Sequence, residues 1–564
     1  MKLDKTTIIA LAACMLALVL TPVVVNKLYP PRPKPLSIPA WTVDTNAAPV
    51  TVASSNGVAV ASTSLPLVEP VTPPKERPPE EVMTLSNNVV KLDITTWGGG
   101  IKSVELLQHK ENGKGNVILN GRDAVPSLAL HNIPGAGVDA GFVIASRTDR
   151  SVTLTTTTAQ GVTIEKELKL TDDYRLDARV TVTGMAQLPT LNVVVGTATP
   201  SDEQETPDYL ASAWMSNRKL HTRLFKQADK GNGTPTNPVT EDVSASWAAV
   251  KSQFFAMVLT PSTNATIKAV GYYATNLSMP TDWKLKSPAR GLTTIAHLAS
   301  QPAATGDRHE YDISLYTGPK EYGRLQELGA DQELVMDFGF WGAISVILLK
   351  GMNFFFGLIP NYGIAIIIIT IIIKILFWPI QAKSIKSMKE MQKFQPLMAK
   401  LREKYKDDPQ RMNAEMMKLY KEHKINPFAG CLPMVVQIPV FFALFSMLRT
   451  AIELRGASFL WIHDLSRPDT IAHLAGFAIN PLPLVMGATM IWQMKLTPSG
   501  GDPKQQQMMM IMPVVFLFIC YSMSSGLVLY WTVQQVLSIA QQWWSMREST
   551  TAPGVQTKPA TTKS

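Results

Sequence analysis

The feature that most constrains this chain is an apolar run at residues 362–379, YGIAIIIITIIIKILFWP. Its length approaches the roughly 20 mostly apolar residues that a helix needs to cross a bilayer. Lys374 lies inside it. A lysine at the centre of a spanning helix costs about 2.5–3.5 kcal/mol, whereas each Ile, Leu or Phe returns about 0.3–0.6 kcal/mol, so the run still inserts. The run therefore predicts a membrane-spanning helix that carries one positive charge.

Two explanations of Lys374 remain open at this point. The side chain lies five residues before Pro379, which is about 7.5 Å at 1.5 Å per residue. A stretched lysine can reach the membrane surface over that distance. Alternatively, Lys374 faces a wet cavity inside a helix bundle, as charges within membranes usually do.

The composition indicates a membrane protein with one large aqueous domain. The chain has 564 residues, of which 46% are hydrophobic and 17% charged, below the roughly 25% charged residues of a typical soluble chain. Apolar runs cluster at the N-terminus and after about residue 340. The cysteines at 14, 431 and 520 all lie in apolar runs, so the polar middle has no disulfide framework.

The N-terminus predicts a first transmembrane helix within residues 1–28. An uncharged run at 6–25 follows two lysines, so we expect an uncleaved helix with its basic end in the cytoplasm. The segment LAAC at 11–14 resembles a lipoprotein cleavage site, and a lipid on Cys14 is the alternative. Residues 29–83 form a Pro-rich linker, which we expect to be periplasmic.

Residues 84–320 predict a large antiparallel β domain. Apolar and polar residues alternate in segments such as 162–170 and 176–182, and turn signals separate the segments. This pattern favours a β-sandwich, which one preceding crossing would place in the periplasm. The histidines of this region have no spacing typical of a metal site or a catalytic triad. We therefore expect no metal, no cofactor and no catalysis here.

Residues 321–360 predict an amphipathic helix that lies in the membrane interface. The apolar stretch 338–358 has Lys350 in its middle and ends just before Pro360. If it crossed the membrane, it would form a hairpin with the next helix and leave almost no loop between them. Its mixed faces suit an interfacial helix better.

Residues 381–426 predict a cytoplasmic helical hairpin. This segment holds about twelve Lys and Arg residues against about six acids, and Asp-Asp-Pro at 407–409 marks a break between two helices. The positive-inside rule places it in the cytoplasm. It would contact lipid head groups, or it would dock a ribosome or a targeting factor. The sequence does not decide between these roles.

The later apolar segments predict four further crossings. Together with the first helix and the run at 362–379 they give six, with both chain ends in the cytoplasm. We assign the helical core to residues 361–546 and a basic cytoplasmic tail to 547–564. The further segments are 431–448, 482–496, 508–521 and 526–539.

Polar residues in these spans add to Lys374: Gln437 in the third span, and Trp531, Thr532, Gln534 and Gln535 in the last. Each has an ordinary explanation, a helix-to-helix hydrogen bond or an aromatic ring at the interface. With Lys374 they predict a hydrated hollow open to one leaflet. The spans show neither a run of acids for a proton relay nor the paired broken helices of an inverted-repeat transporter.

At this point the residues carry a family resemblance. The segment 426–439, NPFAGCLPMVVQIP, resembles the signature of the YidC/Oxa/Alb membrane protein insertases. The segments 461–465, WIHDL, and 525–531, SGLVLYW, match further family segments in order. The resemblance covers roughly residues 338–547. The outer β domain, the linker and the extra first helix resemble the Gram-negative YidC form by their arrangement.

The resemblance implies roles for the polar residues. The family places a positive residue, usually Arg, at the position of Lys374, and Gln437 and Trp531 match its other groove positions. Lysine keeps the charge but lacks the planar fork of arginine. The family often has Pro-Ser before Gly526, where this chain has two serines. The resemblance also implies that the β domain is a supersandwich akin to sugar mutarotases.

The function implied by the resemblance is membrane protein insertion and folding assistance in the bacterial inner membrane. It would proceed through a hydrated, positive groove without nucleotide hydrolysis, since no phosphate-binding loop is present. The implied partners are nascent membrane proteins and lipid, with the Sec translocon, the ribosome and targeting factors as further candidates. We expect no enzyme activity and no nucleic-acid readout. The alternatives are a small-solute transporter, or carbohydrate binding or mutarotase-like activity in the β domain.

Overall fold

The computed structural model describes residues 79–550 except for thirteen short gaps. The predicted first helix with Cys14, most of the Pro-rich linker, the first part of the 426–439 motif and most of the basic tail therefore lie outside the described residues. The gaps are 112–114, 124, 134, 187, 189, 202–204, 263, 280–288, 301–306, 407, 424–431, 475, and 497–502.

The first half of the described chain is a β domain. Its strands are β1 (Val82–Ser86), β2 (Val90–Thr95), β3 (Gly100–Glu111), β4 (Gly115–Leu119), β5 (Val143–Arg147), β6 (Ser151–Thr157), β7 (Thr163–Leu170), β8 (Arg175–Thr183), β9 (Leu191–Ala198), β10 (Ala211–Ser216), β11 (Lys219–Leu224), β12 (Val239–Lys251), β13 (Phe255–Pro261), β14 (Ala265–Asn276), β15 (Arg290–Ser300) and β16 (Arg308–Pro319). One short helix, α1 (Phe225–Lys230), follows β11.

These strands form two antiparallel sheets. The smaller sheet has the order β1-β2-β3-β4, and the larger runs β5-β6-β7-β8-β16-β13-β12-β14-β15-β9, with β10 and β11 attached beside β12. Strand β7 alternates strictly between exposed and buried residues, which is the period-two pattern seen in the sequence. Strand β9 also contacts β12 and β13, so the larger sheet folds over on itself. The prediction of a large antiparallel β domain is confirmed.

A buried lysine joins the two sheets. Lys166 of β7 is 0% exposed, and its Nζ donates to the carbonyl oxygens of Gly98, Gly99 and Leu128 at 2.8–2.9 Å. Burial lowers the pKa of Lys166 to about 7. Three carbonyl acceptors satisfy the donors of the ammonium group, so this lysine is a structural link within the domain.

The second half of the described chain is helical. Its helices are α2 (Tyr322–Glu327), α3 (Gly342–Leu358), α4 (Tyr362–Lys393), α5 (Gln395–Lys404), α6 (Pro409–Glu422), α7 (Leu432–Thr450), α8 (Pro481–Leu496), α9 (Pro503–Cys520) and α10 (Ser525–Thr550), and a short hairpin of β17 (Ala472–Leu474) and β18 (Phe477–Ile479) precedes α8.

The apolar helices carry a surface suited to lipid. Large apolar side chains such as Ile375, Leu376 and Phe518 are 64–78% exposed, and a soluble protein rarely exposes such a contiguous apolar surface. Within the described residues, the segments Gly339–Leu358 and Tyr362–Met391 are long and apolar enough to cross a membrane. Shorter apolar stretches lie in α7 and α9.

Helix α4 differs from the sequence expectation at its C-terminal end. The sequence predicted that the spanning helix ends at Pro379, but α4 continues through Pro379 to Lys393. Proline removes one backbone N–H and one helical hydrogen bond, and helices within membranes tolerate that loss. The helix instead ends before Pro396, which lies in the first turn of α5, where a proline is favourable.

The cytoplasmic hairpin predicted at 381–426 is therefore built from α5 and α6. These two helices contact each other, and the Tyr420 hydroxyl lies 3.6 Å from the sulfur of Met398. Asp408 caps α6 by accepting from the backbone N–H of Arg411 at 3.0 Å. The limits 381–426 themselves stay a prediction, since the first residues of that range belong to α4.

The β domain and the helices meet at the C-terminal end of α7. Arg449 Nε donates to the Tyr209 hydroxyl at 2.7 Å, and the Gln253 amide donates to the Arg449 carbonyl at 2.8 Å. Nearby, Lys350 of α3 lies over the Tyr322 ring at 5.2 Å. These contacts place the end of α7, and the loop that follows it, on the β-domain side of the helices.

Candidate intramembrane polar site

Lys374 occupies a buried position between two helices. It is 3% exposed, and its Nζ donates to Gln381 Oε1 at 2.5 Å and to Ser538 Oγ of α10 at 2.7 Å. Gln381 lies seven residues further along α4, so both side chains share one helix face. This contact exists because α4 continues through Pro379.

The partners of Lys374 leave its charge in place. Ser538 donates its own proton to the Gln534 carbonyl at 2.8 Å, so its oxygen offers lone pairs to the ammonium group. Gln381 offers a carbonyl oxygen. Both partners are neutral, and no ion pair of Lys374 occurs among the described residues. The site therefore has a net positive charge within a largely apolar bundle.

Gln437 and Trp531 form a second part of the site. The Gln437 amide donates to the Tyr530 hydroxyl at 2.7 Å, and Tyr530 is 1% exposed. The neighbouring Trp531 ring packs against Phe441 and Phe516, with centroid distances of 5.0 and 4.5 Å. Gln437 therefore links α7 to the residue that precedes Trp531 in α10.

Two polar atoms near this face have no protein partner among the described residues. They are the Trp531 indole nitrogen and Gln534 Oε1, and both are buried. A buried donor or acceptor left unpaired costs roughly 1–3 kcal/mol. Both atoms are therefore suited to bind water or a polar group of another molecule.

The three predicted residues do not form one cluster. Trp531 lies on α10, and Lys374 and Gln437 contact α10 at different heights along its axis. Trp531 and Ser538 are seven residues apart on α10, so they share a face and are separated by about 10.5 Å along the axis. Gln534 lies between them. Lys374 contacts Ser538 at one end of this strip, and Gln437 contacts Tyr530, the residue just before Trp531 at the other end. We call the strip of Trp531, Gln534 and Ser538 the polar face of α10.

The sequence did not identify every member of the site. Gln381, Ser538 and Tyr530 were missed. The spacing of seven residues between Lys374 and Gln381 is the available signal, and it has meaning only if the helix continues through Pro379. Ser538 and Tyr530 carry no signal without knowledge of which helices pack on α10.

The described residues contain no group of three or more His, Cys, Asp or Glu side chains that could hold a metal ion. The polar atoms of the site are instead one ammonium group, amides and hydroxyls. These groups bind water and accept or donate hydrogen bonds, and the ammonium attracts anions. The arrangement suits reversible binding of polar groups within the membrane.

Fold and site together define a class of protein: a polytopic helical membrane protein with a large antiparallel β domain and an intramembrane polar site. Comparisons with known proteins then identify the family. Residues 354–552 match the family described as 60Kd inner membrane protein, and residues 82–350 match the YidC periplasmic domain. The chain belongs to the YidC family of inner membrane proteins.

Curated relatives match over most of the chain. A membrane protein insertase YidC from Nitratidesulfovibrio vulgaris is 39% identical over 406 residues, covering 69% of each chain. One from Syntrophus aciditrophicus is 32% identical over 574 residues, covering 97% of this chain and all of the relative. A crystal structure of an active YidC insertase is 15% identical, covers 82% of this chain and 92% of its own, and has a TM-score of 0.35. The assignment rests on the sequence relatives.

Proposed function

We propose that this protein inserts nascent membrane proteins into the inner membrane through the polar site around Lys374. Its relatives are membrane insertases, so it is an insertase and not an enzyme. The observation that carries the proposed mechanism is the buried Lys374 ammonium, held only by neutral groups among the described residues. A charge that is already neutralised would attract no client.

The polar face of α10 supports a hydrated groove in the cytoplasmic half of the bilayer. Water in this groove would shorten the apolar path that a polar segment must cross. The groove would receive the polar, often acidic tail of a client, while the apolar segment of the client slides along the helices into lipid. An opposite charge at 4 Å is worth about 1 kcal/mol in water and about 4 kcal/mol in an intermediate dielectric, which suits capture followed by release.

The proposed topology has six crossings, formed by the predicted N-terminal helix together with α4, α7, α8, α9 and α10. Both chain ends and the α5–α6 hairpin would be cytoplasmic, and the β domain periplasmic. Exposed apolar side chains on α4, α8 and α9 support this arrangement, as do the many basic residues between α4 and α7.

Helix α3 would lie in the periplasmic interface rather than cross the membrane. Lys350 is in the middle of α3, yet its ammonium lies over the ring of Tyr322, which follows the last strand of the β domain. If α3 crossed the bilayer, its middle residue Lys350 would lie in the membrane, far from the β domain. Helix α3 also packs on α4 and α7, and its Ser345 hydroxyl donates to the Ala443 carbonyl of α7 at 2.9 Å.

The proposed partners follow from the same arrangement. Nascent membrane proteins are the clients. The basic hairpin would contact the ribosome or a targeting factor on the cytoplasmic side, and insertion would proceed alone or beside the Sec translocon. The contact between the hairpin and the ribosome can be tested by measuring how the purified protein, with and without substitutions of basic residues in α5 and α6, binds ribosomes that carry a client chain.

Reconstitution in liposomes tests the proposed function. The pure protein is placed in liposomes with a small single-span client that has an acidic translocated tail, and protease protection of the tail is scored. We expect the unaltered protein and Lys374→Arg to insert the client and Lys374→Ala to lose most of this activity. Insertion by Lys374→Ala at the unaltered level would refute the role of the charge. Failure of the unaltered protein would refute the function itself.

A further inference from the structure

An exposed apolar hairpin lies in the loop between α7 and α8. Strands β17 and β18 pair with Leu474 opposite Phe477, and these two side chains are 69% and 79% exposed. Ile471, just before β17, is 57% exposed. Residues 470–480 include no Lys, Arg, Asp or Glu. An aqueous loop would gain solubility from charges at such positions, so this hairpin is suited to another environment.

The base of the hairpin is fixed to the ends of two membrane helices. Tyr521 directly follows α9, and its hydroxyl donates to the Ala478 carbonyl at 2.6 Å. The Asn480 amide donates to the Tyr521 carbonyl at 2.6 Å, and α8 begins at Pro481. The hairpin therefore starts at the level where α8 and α9 reach the membrane surface.

The apolar surface of the hairpin continues the lipid-facing surface of these helices. Phe518 and Ile519 at the end of α9 are 78% and 52% exposed, and Leu484 and Val485 near the start of α8 are 48% and 46% exposed. The loop is on the β-domain side, because the end of α7 contacts Tyr209 there.

We propose that the β17–β18 hairpin inserts into the lipid leaflet on the β-domain side, with lipid as the partner of its apolar side chains. The insertion is shallow. A two-stranded sheet leaves backbone groups at its outer edges without strand partners, and such groups are costly in the hydrocarbon core. Three residues extend about 10 Å, which matches the roughly 5–10 Å depth of interfacial segments.

Fluorescence quenching tests this insertion in the full chain. The native cysteines are replaced by serine, and an environment-sensitive dye is attached to Phe477→Cys or, separately, to Leu474→Cys. The labelled protein is placed in client-free liposomes. Arg218→Cys, on an 84% exposed side chain of the β domain, is the aqueous control, and Phe518→Cys is the lipid control.

We expect both hairpin probes to be quenched by lipids with a nitroxide near the head group and shielded from aqueous iodide, as at position 518. Iodide quenching equal to that at position 218 would overturn the proposal. Shielding that disappears when the protein is diluted in lipid would also overturn it, because a second copy of the chain would then be the partner. The test does not depend on insertion activity, so the proposed function stands or falls separately.

Discussion

Buried lysines in this protein are stabilised in different ways. Lys166 donates to three backbone carbonyls. Lys251 is 6% exposed and pairs with Asp337 at 2.9 Å. Lys374 has only a neutral amide and a hydroxyl among the described residues. The first two lysines hold parts of the fold together, whereas no carboxylate pairs with Lys374 among the described residues.

Replacing Gln381 by Glu tests whether that neutrality matters. The new carboxylate would pair with Lys374 and remove the net charge of the site. We expect Gln381→Glu to lower insertion of a client with an acidic tail about tenfold, which corresponds to about 1.4 kcal/mol. Insertion of a matched client with Asn and Gln in its tail should change much less. Initial rates of protease protection measure both.

Gln535→Glu is the matched control for this prediction. Gln535 lies on α10 but is not a hydrogen-bond partner of Lys374. Ser538→Asp places a carboxylate beside Lys374 from the other helix and should reproduce the effect of Gln381→Glu. If both variants lost insertion of the acidic and the neutral client equally, the positive charge of Lys374 would not be the cause, and the substitutions would have acted by disturbing the packing.

At the scale of single elements, α4 carries the largest difference from the sequence expectation. Pro379 led us to expect a helix end there, but the residues that follow it continue the helix to Lys393. Pro379 costs α4 one hydrogen bond, and the packing of α4 against α10 offsets this cost. That packing is a tertiary property, which local sequence does not contain.

Pro379→Ala tests the continuity of α4. The substitution restores one helical hydrogen bond, and Pro costs roughly 3 kcal/mol relative to Ala within a regular helix. We expect a higher thermal midpoint in detergent and insertion close to the unaltered level, because Lys374 and Gln381 already share a face. A large loss of insertion with normal accumulation would show that a bend at Pro379 is needed.

Strand positions were easier to predict than strand pairing. The alternation of β7 and β8 is local and is visible in the sequence. The pairing of β8 with β16, in which Leu176 lies opposite Leu315, joins distant segments. Many strands here share the same alternating pattern, so the pattern alone does not select the partner.

The candidate site shows the same limit. The sequence alone predicts Lys374, Gln437 and Trp531 as site residues, because each interrupts an apolar run. Their partners Gln381, Ser538 and Tyr530 depend on how α4, α7 and α10 pack. The roles of all six residues in insertion stay predictions.

At the scale of the whole molecule, the β domain and the helices share one continuous core of buried side chains. His109 of β3 lies at their junction, 5.4 Å from the Phe255 ring. Burial, together with the charges of Arg455 and Arg324, lowers the pKa of His109 to about 4. The histidine is therefore neutral in the folded protein across most of the acid range.

This shift predicts a pH dependence of stability. As the pH falls from about 6.5, the ordinary pKa of histidine, to about 4, the unfolded chain takes up a proton that the folded chain does not. Stability from His109 is complete above pH 6.5 and is lost over that window. We expect His109→Phe to reduce the fall in thermal midpoint between pH 7 and 4.5. Identical pH profiles for His109→Phe and the unaltered protein would contradict this.

Thiol labelling tests whether a hydrated, positively charged groove lies beside Lys374. In a background without native cysteines, Gln534→Cys lies on the polar face of α10, and Val536→Cys replaces a 50% exposed apolar side chain of the same helix. Membrane vesicles are treated with a water-soluble, charged thiol reagent. If the groove holds water, the thiol at position 534 reacts rapidly and the thiol at position 536 reacts little. An unreactive thiol at 534, as protected as that at 536, would contradict a hydrated groove.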